Sequence, residues 1–91
     1  MTRAELQLQD PDKVLLVDIR ELSEFRELPT YPGAVHIPLV TLLDQARLGQ
    51  LPKDKRIVTI CRSGARSLMV NPILEKLGYQ TDLLEGGLQR G

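Results

Sequence analysis

The stretch Arg56-Ile57-Val58-Thr59-Ile60-Cys61-Arg62-Ser63-Gly64-Ala65-Arg66-Ser67 decides the fold. Its first half is a β-branched, apolar run without polar alternation. That is the pattern of a strand buried on both faces of a parallel sheet. The run stops at Cys61, a glycine follows three residues later, and a helical pattern begins at once. Ala65, Leu68, Met69, Ile73 and Leu77 trace one helical face, and Gly78 closes it. Asn71-Pro72 interrupts that pattern, and an interior proline costs about 3 kcal/mol, so a kink or break near Asn71 is expected.

Working outward, Val14-Leu15-Leu16-Val17-Asp18-Ile19 repeats the strand pattern, again ending on polar residues. Residues 34–37 and 81–84 are shorter strand candidates. Leu39, Leu42, Leu43 and Ala46 have helical spacing, with Gly49 as a stop. Residues 21–28 suit a short helix with Leu22 and Phe25 inward, before Pro29 and Pro32. Residues 1–10 read as a helix whose apolar positions are Ala4, Leu6 and Leu8. Strands alternating with helices imply an α/β fold with a parallel sheet, whose functional edge lies beyond the carboxyl ends of the strands. Asp18, Arg20, Cys61 and Arg62 are therefore expected at one edge.

The chain has 91 residues, the size of one small domain spanning 1–91. Twelve Lys and Arg balance twelve Asp and Glu, so the basic excess of a nucleic-acid binder is absent. One cysteine excludes an internal disulfide and a cysteine zinc cluster. No metal and no organic cofactor is expected. Residues 1–10 hold no apolar leader, and no apolar run approaches the ~18 residues of a membrane span. Cytoplasm is the expected compartment.

A lone cysteine at a strand end is, in general, a small core hydrophobe. The flanking residues favour a reagent instead. Gly64 lets the loop curl, and a loop that curls into a helix start points several N–H groups at one spot. Such a nest, with nearby arginines, lowers a thiol pKa. Lys55, Arg56, Arg62 and Arg66 lie within residues 55–67 with no acid among them, so the loop is expected to be locally positive.

Cys61-x-x-Gly64-x-Arg66-Ser67 resembles the active-site loop of the rhodanese sulfurtransferases. Further stretches are similar to that family in order along residues 14–87. They are Asp18-x-Arg20 with Glu24-Phe25, Pro32-Gly33-Ala34-Val35-His36-Ile37-Pro38, Leu77-Gly78-Tyr79 and Leu84-x-Gly86-Gly87. The resemblance implies a three-layer, mostly parallel sheet of four to five strands flanked by helices. The family's opening strand has no counterpart in the sequence pattern. Gly91 stands where the family commonly has a tryptophan, which implies an unusual terminus.

The resemblance also implies roles. Cys61 is the nucleophile that holds sulfane sulfur as a persulfide. The N–H groups of Arg62, Ser63, Gly64, Ala65, Arg66 and Ser67 stabilise its outer sulfur. Arg66 orients the loop or the donor anion, and Arg62 contacts the donor. Asp18 and Arg20 form a structural salt bridge that braces the loop through Arg66. Glu24 is a fold-supporting acceptor, and His36 has a core or surface role. The implied partners are a small anionic donor such as thiosulfate, or a persulfide-bearing protein, with cyanide, a thiol or a sulfur-carrier protein as acceptor.

Two other readings stand beside this one. A non-catalytic rhodanese-like binding module is the first. The second is a cysteine phosphatase or arsenate reductase, which uses Cys-x5-Arg. Here the spacing is Cys61-x4-Arg66, with Ser67 where that arginine is needed. The shorter loop suits a single sulfur better than a phosphate.

Overall fold

A computed structural model describes residues 1–90; Gly91, the expected departure from the family pattern, lies outside the described residues. The elements run α1 (Arg3–Gln7), a 3-10 turn (Pro11–Lys13), β1 (Val14–Asp18), α2 (Leu22–Glu27), β2 (Val35–His36), α3 (Leu39–Arg47), β3 (Arg56–Ile60), α4 (Ala65–Lys76), β4 (Gln80–Leu83) and a 3-10 turn at Leu88–Arg90. The strands form one parallel sheet in the order β2-β1-β3-β4. The four strands fall where the sequence places them. Among the described residues no opening strand precedes α1; Met1 makes two main-chain contacts at the end of β4, its amino group donating to the Leu83 carbonyl at 2.7 Å and its carbonyl accepting from Glu85 N at 2.9 Å.

Side chains alternate across the two central strands, because successive residues of a strand point to opposite faces. One face carries Leu15, Val17 and Ile57, packed with Leu42 and Ala46 of α3 and Val70 and Leu74 of α4. The other carries Val14, Leu16, Val58 and Ile60, packed with Leu6 of α1 and with Leu84 and Leu88. The result is the layered α/β architecture that the strand–helix alternation implies.

Two helices differ from the sequence reading. In α4 the buried positions are Ser67, Val70, Asn71 and Leu74, while Leu68 and Met69 are 66% and 60% exposed. Apolar residues line both faces of this helix, so periodicity alone selects the wrong one. Asn71 is buried because its amide is satisfied: Thr59 Oγ1 donates to Asn71 Oδ1 at 2.8 Å, and Asn71 Nδ2 donates to the Asp82 carbonyl at 3.0 Å. That anchor sits one residue before Pro72, and the helix runs without a break from Ala65 to Lys76. In the second case, Leu22 of α2 faces outward, with Phe25 only partly buried. Leu8 likewise lies at the solvent side, past the end of α1.

Candidate functional site

The β1–β3 register sets Asp18 opposite Ile60, so Arg20 and Cys61 leave the sheet at the same edge. Cys61 is 1% exposed and belongs to the core that α3 and α4 cover. Beyond it the chain turns through Gly64 at φ +99°, a left-handed conformation that costs little only without a Cβ. Gly64 caps α4 without a side chain of its own; Ala65 N donates to Ser63 Oγ at 3.5 Å, and the preceding N–H, that of Gly64, is left for another acceptor. That acceptor is sulfur: Gly64 N donates to Cys61 Sγ at 3.0 Å.

Burial pushes the Cys61 thiol up. The N–H and hydroxyl of Ser67, and the N–H groups of Gly64 and Arg66, outweigh it and hold the thiol below its ordinary value. The Ser67 hydroxyl is fully buried and makes no standing hydrogen bond, yet it lies near enough to favour charge on the sulfur. These groups can stabilise an anion at one fixed point.

The cations are distributed differently from their sequence order. Arg66 donates to both carboxylate oxygens of Glu24, at 2.7 and 2.8 Å. Arg56 lies 3.7 Å from Asp82, and with Lys55 it stands at the amino end of β3. A five-residue strand spans roughly 16 Å, so both are remote from the thiol. The expected positive loop thus reduces to Arg62, which forms no ion pair among the described residues. It borders a cleft of about 270 Å³ lined also by Arg20, Glu24, Glu27 and Leu28. A larger groove of about 590 Å³ borders the other flank, along Ser63, Gly64, Ala65, Leu68, Leu83 and Gly86.

Asp18 and Arg20 form the expected ion pair, 0% and 1% exposed. Arg20 Nη2 donates to Asp18 Oδ2 at 2.7 Å, and Arg20 Nε lies 3.0 Å from both carboxylate oxygens. Arg20 reaches Arg66 by way of α2 and Glu24. Its other N–H groups donate to the carbonyls of Glu24 at 3.1 Å and Leu28 at 2.8 Å, which fastens the last turn of α2. Glu24 on α2 then holds Arg66. It is the acceptor that the sequence reading proposes, and it also accepts from Glu21 N at 2.9 Å. His36 stacks on Phe25 with ring centroids 4.3 Å apart, and its Nε2 lies 2.7 Å from the Arg20 carbonyl. It supports the fold on the β2 side of the ion pair.

One contributor carries no role in the sequence reading. The turn at Gly86–Gly87 packs against the loop from outside. Leu88 N donates to the Cys61 carbonyl at 3.0 Å, and Gln89 N to the Arg62 carbonyl at 2.9 Å. The Leu84-x-Gly86-Gly87 motif was its only signal.

A buried strand thus delivers Cys61 to the donors at a helix start, at the carboxyl edge of a parallel α/β sheet. The family model described as the rhodanese-like domain matches residues 2–90, and the chain belongs to that family. The Bacillus subtilis protein named putative sulfurtransferase YtwF is 37% identical over 81 residues, covering 89% of this chain and 76% of that one. A Bacillus subtilis protein named putative sulfur carrier protein YrkF is 38% identical over 72 residues, covering 78% of this chain and 37% of that one. A crystal structure from Staphylococcus saprophyticus superposes with a TM-score of 0.81 at 29% identity, covering 99% of this chain and 89% of that one.

Proposed function

We propose that the chain is a sulfurtransferase that carries sulfane sulfur as a persulfide on Cys61. The Cys61 thiolate attacks the outer sulfur of thiosulfate. A new S–S bond forms, the donor's S–S bond breaks, and sulfite leaves with the electron pair. A thiol or cyanide then attacks the outer sulfur of the persulfide, and the thiolate is regenerated. A persulfide-bearing protein can replace thiosulfate in the first step, and a sulfur-carrier protein can serve as acceptor in the second. The name of the carrier-like relative supports that variant.

The observation that carries this reading is the lowered, buried Cys61 thiol with Gly64 N at 3.0 Å from its sulfur. A purely structural cysteine has no use for that set of donors, which argues against the binding-module reading. The N–H groups of residues 62–67 are proposed to stabilise the persulfide, and Arg62, the arginine of the loop without an ion pair among the described residues, to meet the donor. Arg66 is proposed to orient the loop while engaged with Glu24, and Asp18 and Arg20 to position α2.

The test is intact mass after incubation with thiosulfate and, separately, with glutathione persulfide. One added sulfur atom on the wild-type chain and none on Cys61→Ser is the expected result. No adduct from either donor, or an equal adduct on Cys61→Ser, overturns the reading. Hydrolysis of an aryl phosphate that disappears in Cys61→Ser would favour the phosphatase instead.

A further inference from the structure

The stretch Gly87-Leu88-Gln89 lies against the outer side of the Cys61 loop. Gly87 has φ +61°, and a Cβ there would stand 2.4 Å from the Cys61 carbonyl oxygen and 2.5 Å from that of Arg62. Only a glycine permits this approach. The two carbonyls it touches are the two that Leu88 N and Gln89 N take as acceptors. From the opposite side, Arg3 Nη2 donates to the Gly87 carbonyl at 3.2 Å, and the Arg3 guanidinium lies over the Tyr31 ring at 5.7 Å. The turn is held between α1 and the loop.

Among the described residues the peptide bonds are trans. In a trans peptide the C=O of one residue and the N–H of the next point in opposite directions. Fastening the Cys61 carbonyl outward therefore turns the Arg62 N–H away from the turn, and fastening the Arg62 carbonyl does the same for Ser63. Neither N–H donates to any protein acceptor among the described residues. The sulfur already present takes Gly64 N instead, at 3.0 Å, and the Ser67 and Arg66 groups also favour its charge. The loop thus holds one donor engaged by that sulfur and two, on Arg62 and Ser63, that are free.

We propose that the turn at Gly87–Gln89 is a positioning element for the persulfide state: it aims the Arg62 and Ser63 N–H groups at the outer sulfur. The α4 donors hold the inner sulfur, and the turn prepares a place for the second. Gly87, Leu88 and Gln89 are positioning residues, because they act through the loop and touch no substrate. This role rests on the persulfide reading above.

The test removes one bond and nothing else. The 91-residue chain can be assembled by chemical ligation at Cys61, its sole cysteine, with the Gln89 N–H replaced by an ester oxygen. Wild type and ester variant are each equilibrated with a fixed mixture of glutathione persulfide and glutathione, and persulfide is read by intact mass. The persulfide-to-thiol ratio of the variant is expected to fall about tenfold, the change carried by one hydrogen bond to a charged group. The pH midpoint of thiolate absorbance is expected to stay at the wild-type value, since its donors belong to α4. A Gly49→Ala chain serves as control, because Gly49 has φ +70° with nothing within 4 Å of its Cβ position. It carries the backbone strain without touching the loop and is expected to keep both readouts. Equal loading of wild type and ester variant overturns the role of the turn alone. A lower persulfide ratio together with a raised midpoint also overturns it, because the turn then merely supports the loop as a whole. An unloaded wild type overturns the persulfide reading along with it.

Discussion

Arg66 of α4 and Glu24 of α2 are joined by two parallel hydrogen bonds of 2.7 and 2.8 Å. The arginine five residues after the cysteine is committed to a carboxylate on another element, and that element is itself fixed by Arg20. Asp18, Arg20, α2, Glu24 and Arg66 form one continuous brace from β1 to the start of α4.

The brace titrates at low pH. Arg66 beside Glu24, with the Glu21 N–H, holds the Glu24 carboxyl down from an ordinary 4.5 to about 2. A depressed carboxyl stabilises the fold fully above about pH 4.5, and its contribution disappears as pH falls through about 2. The pair is partly solvent-exposed, so about 1–2 kcal/mol is at stake. Urea unfolding should show Glu24→Gln less stable than wild type by that amount at pH 6, with the difference vanishing toward pH 2. Parallel curves down to pH 2 would contradict this.

The buried pair behaves differently. Asp18→Ala leaves the Arg20 guanidinium buried without its carboxylate, and should cost about 3–5 kcal/mol in denaturant unfolding. Thermal and urea midpoints would both fall. Combining Asp18→Ala with Arg20→Met should recover part of the loss, since no buried charge is then unpaired. A double variant as unstable as the two single losses added would show that the carbonyl contacts of Arg20 dominate.

Ser67 allows a reading of the thiol itself. Its hydroxyl is buried, has no other hydrogen bond and favours charge on Cys61. The thiolate absorbance of the wild-type chain should titrate below the ordinary value of a cysteine. Ser67→Ala should move the midpoint upward by about one to two pH units, the weight of one hydrogen bond to a charged group. An unmoved midpoint would leave the backbone N–H groups as the whole cause.

The two faces of α4 can be told apart by stability. Leu74→Ala, at a fully buried site, should cost about 2–5 kcal/mol. Leu68→Ala, two-thirds exposed, should stay within about 0.5 kcal/mol. Pro72→Ala should stabilise the helix by about 1–3 kcal/mol, since it restores a backbone N–H inside an unbroken helix. The same urea midpoints decide all three, and a costly Leu68→Ala would reverse the assignment of faces.

Strand positions were legible because β1 and β3 are buried on both faces and must be apolar throughout. The common edge of Asp18 and Cys61 followed from parallel pairing. The inward face of α4 was not legible, because Ser67 and Asn71 are buried for their hydrogen bonds and leave Leu68 and Met69 outside. Charge was misleading for a related reason. Neighbours along a strand, such as Arg56 and Cys61, end up at opposite edges of the sheet, whereas Arg66 meets an acid 42 positions earlier. The Gly87 turn showed only as the Gly86-Gly87 pair, because its contacts with the loop are backbone to backbone and leave no side-chain pattern.

Every ladder in this sheet is parallel, so no hairpin exists among the described residues. Val14 pairs with Arg56, and Arg56 with Gln80. Each pairing closes a long stretch of chain, and that closure entropy must be met before any strand contact is gained. No local piece of the sheet can form first and wait. The corner that holds Cys61 draws on β1, β3, α4 and the Gly87 turn together, so it should appear and vanish with the whole fold. A thiol set in such a corner is in one of two conditions, seated in its full set of donors or in an unfolded chain, with no frayed intermediate between them.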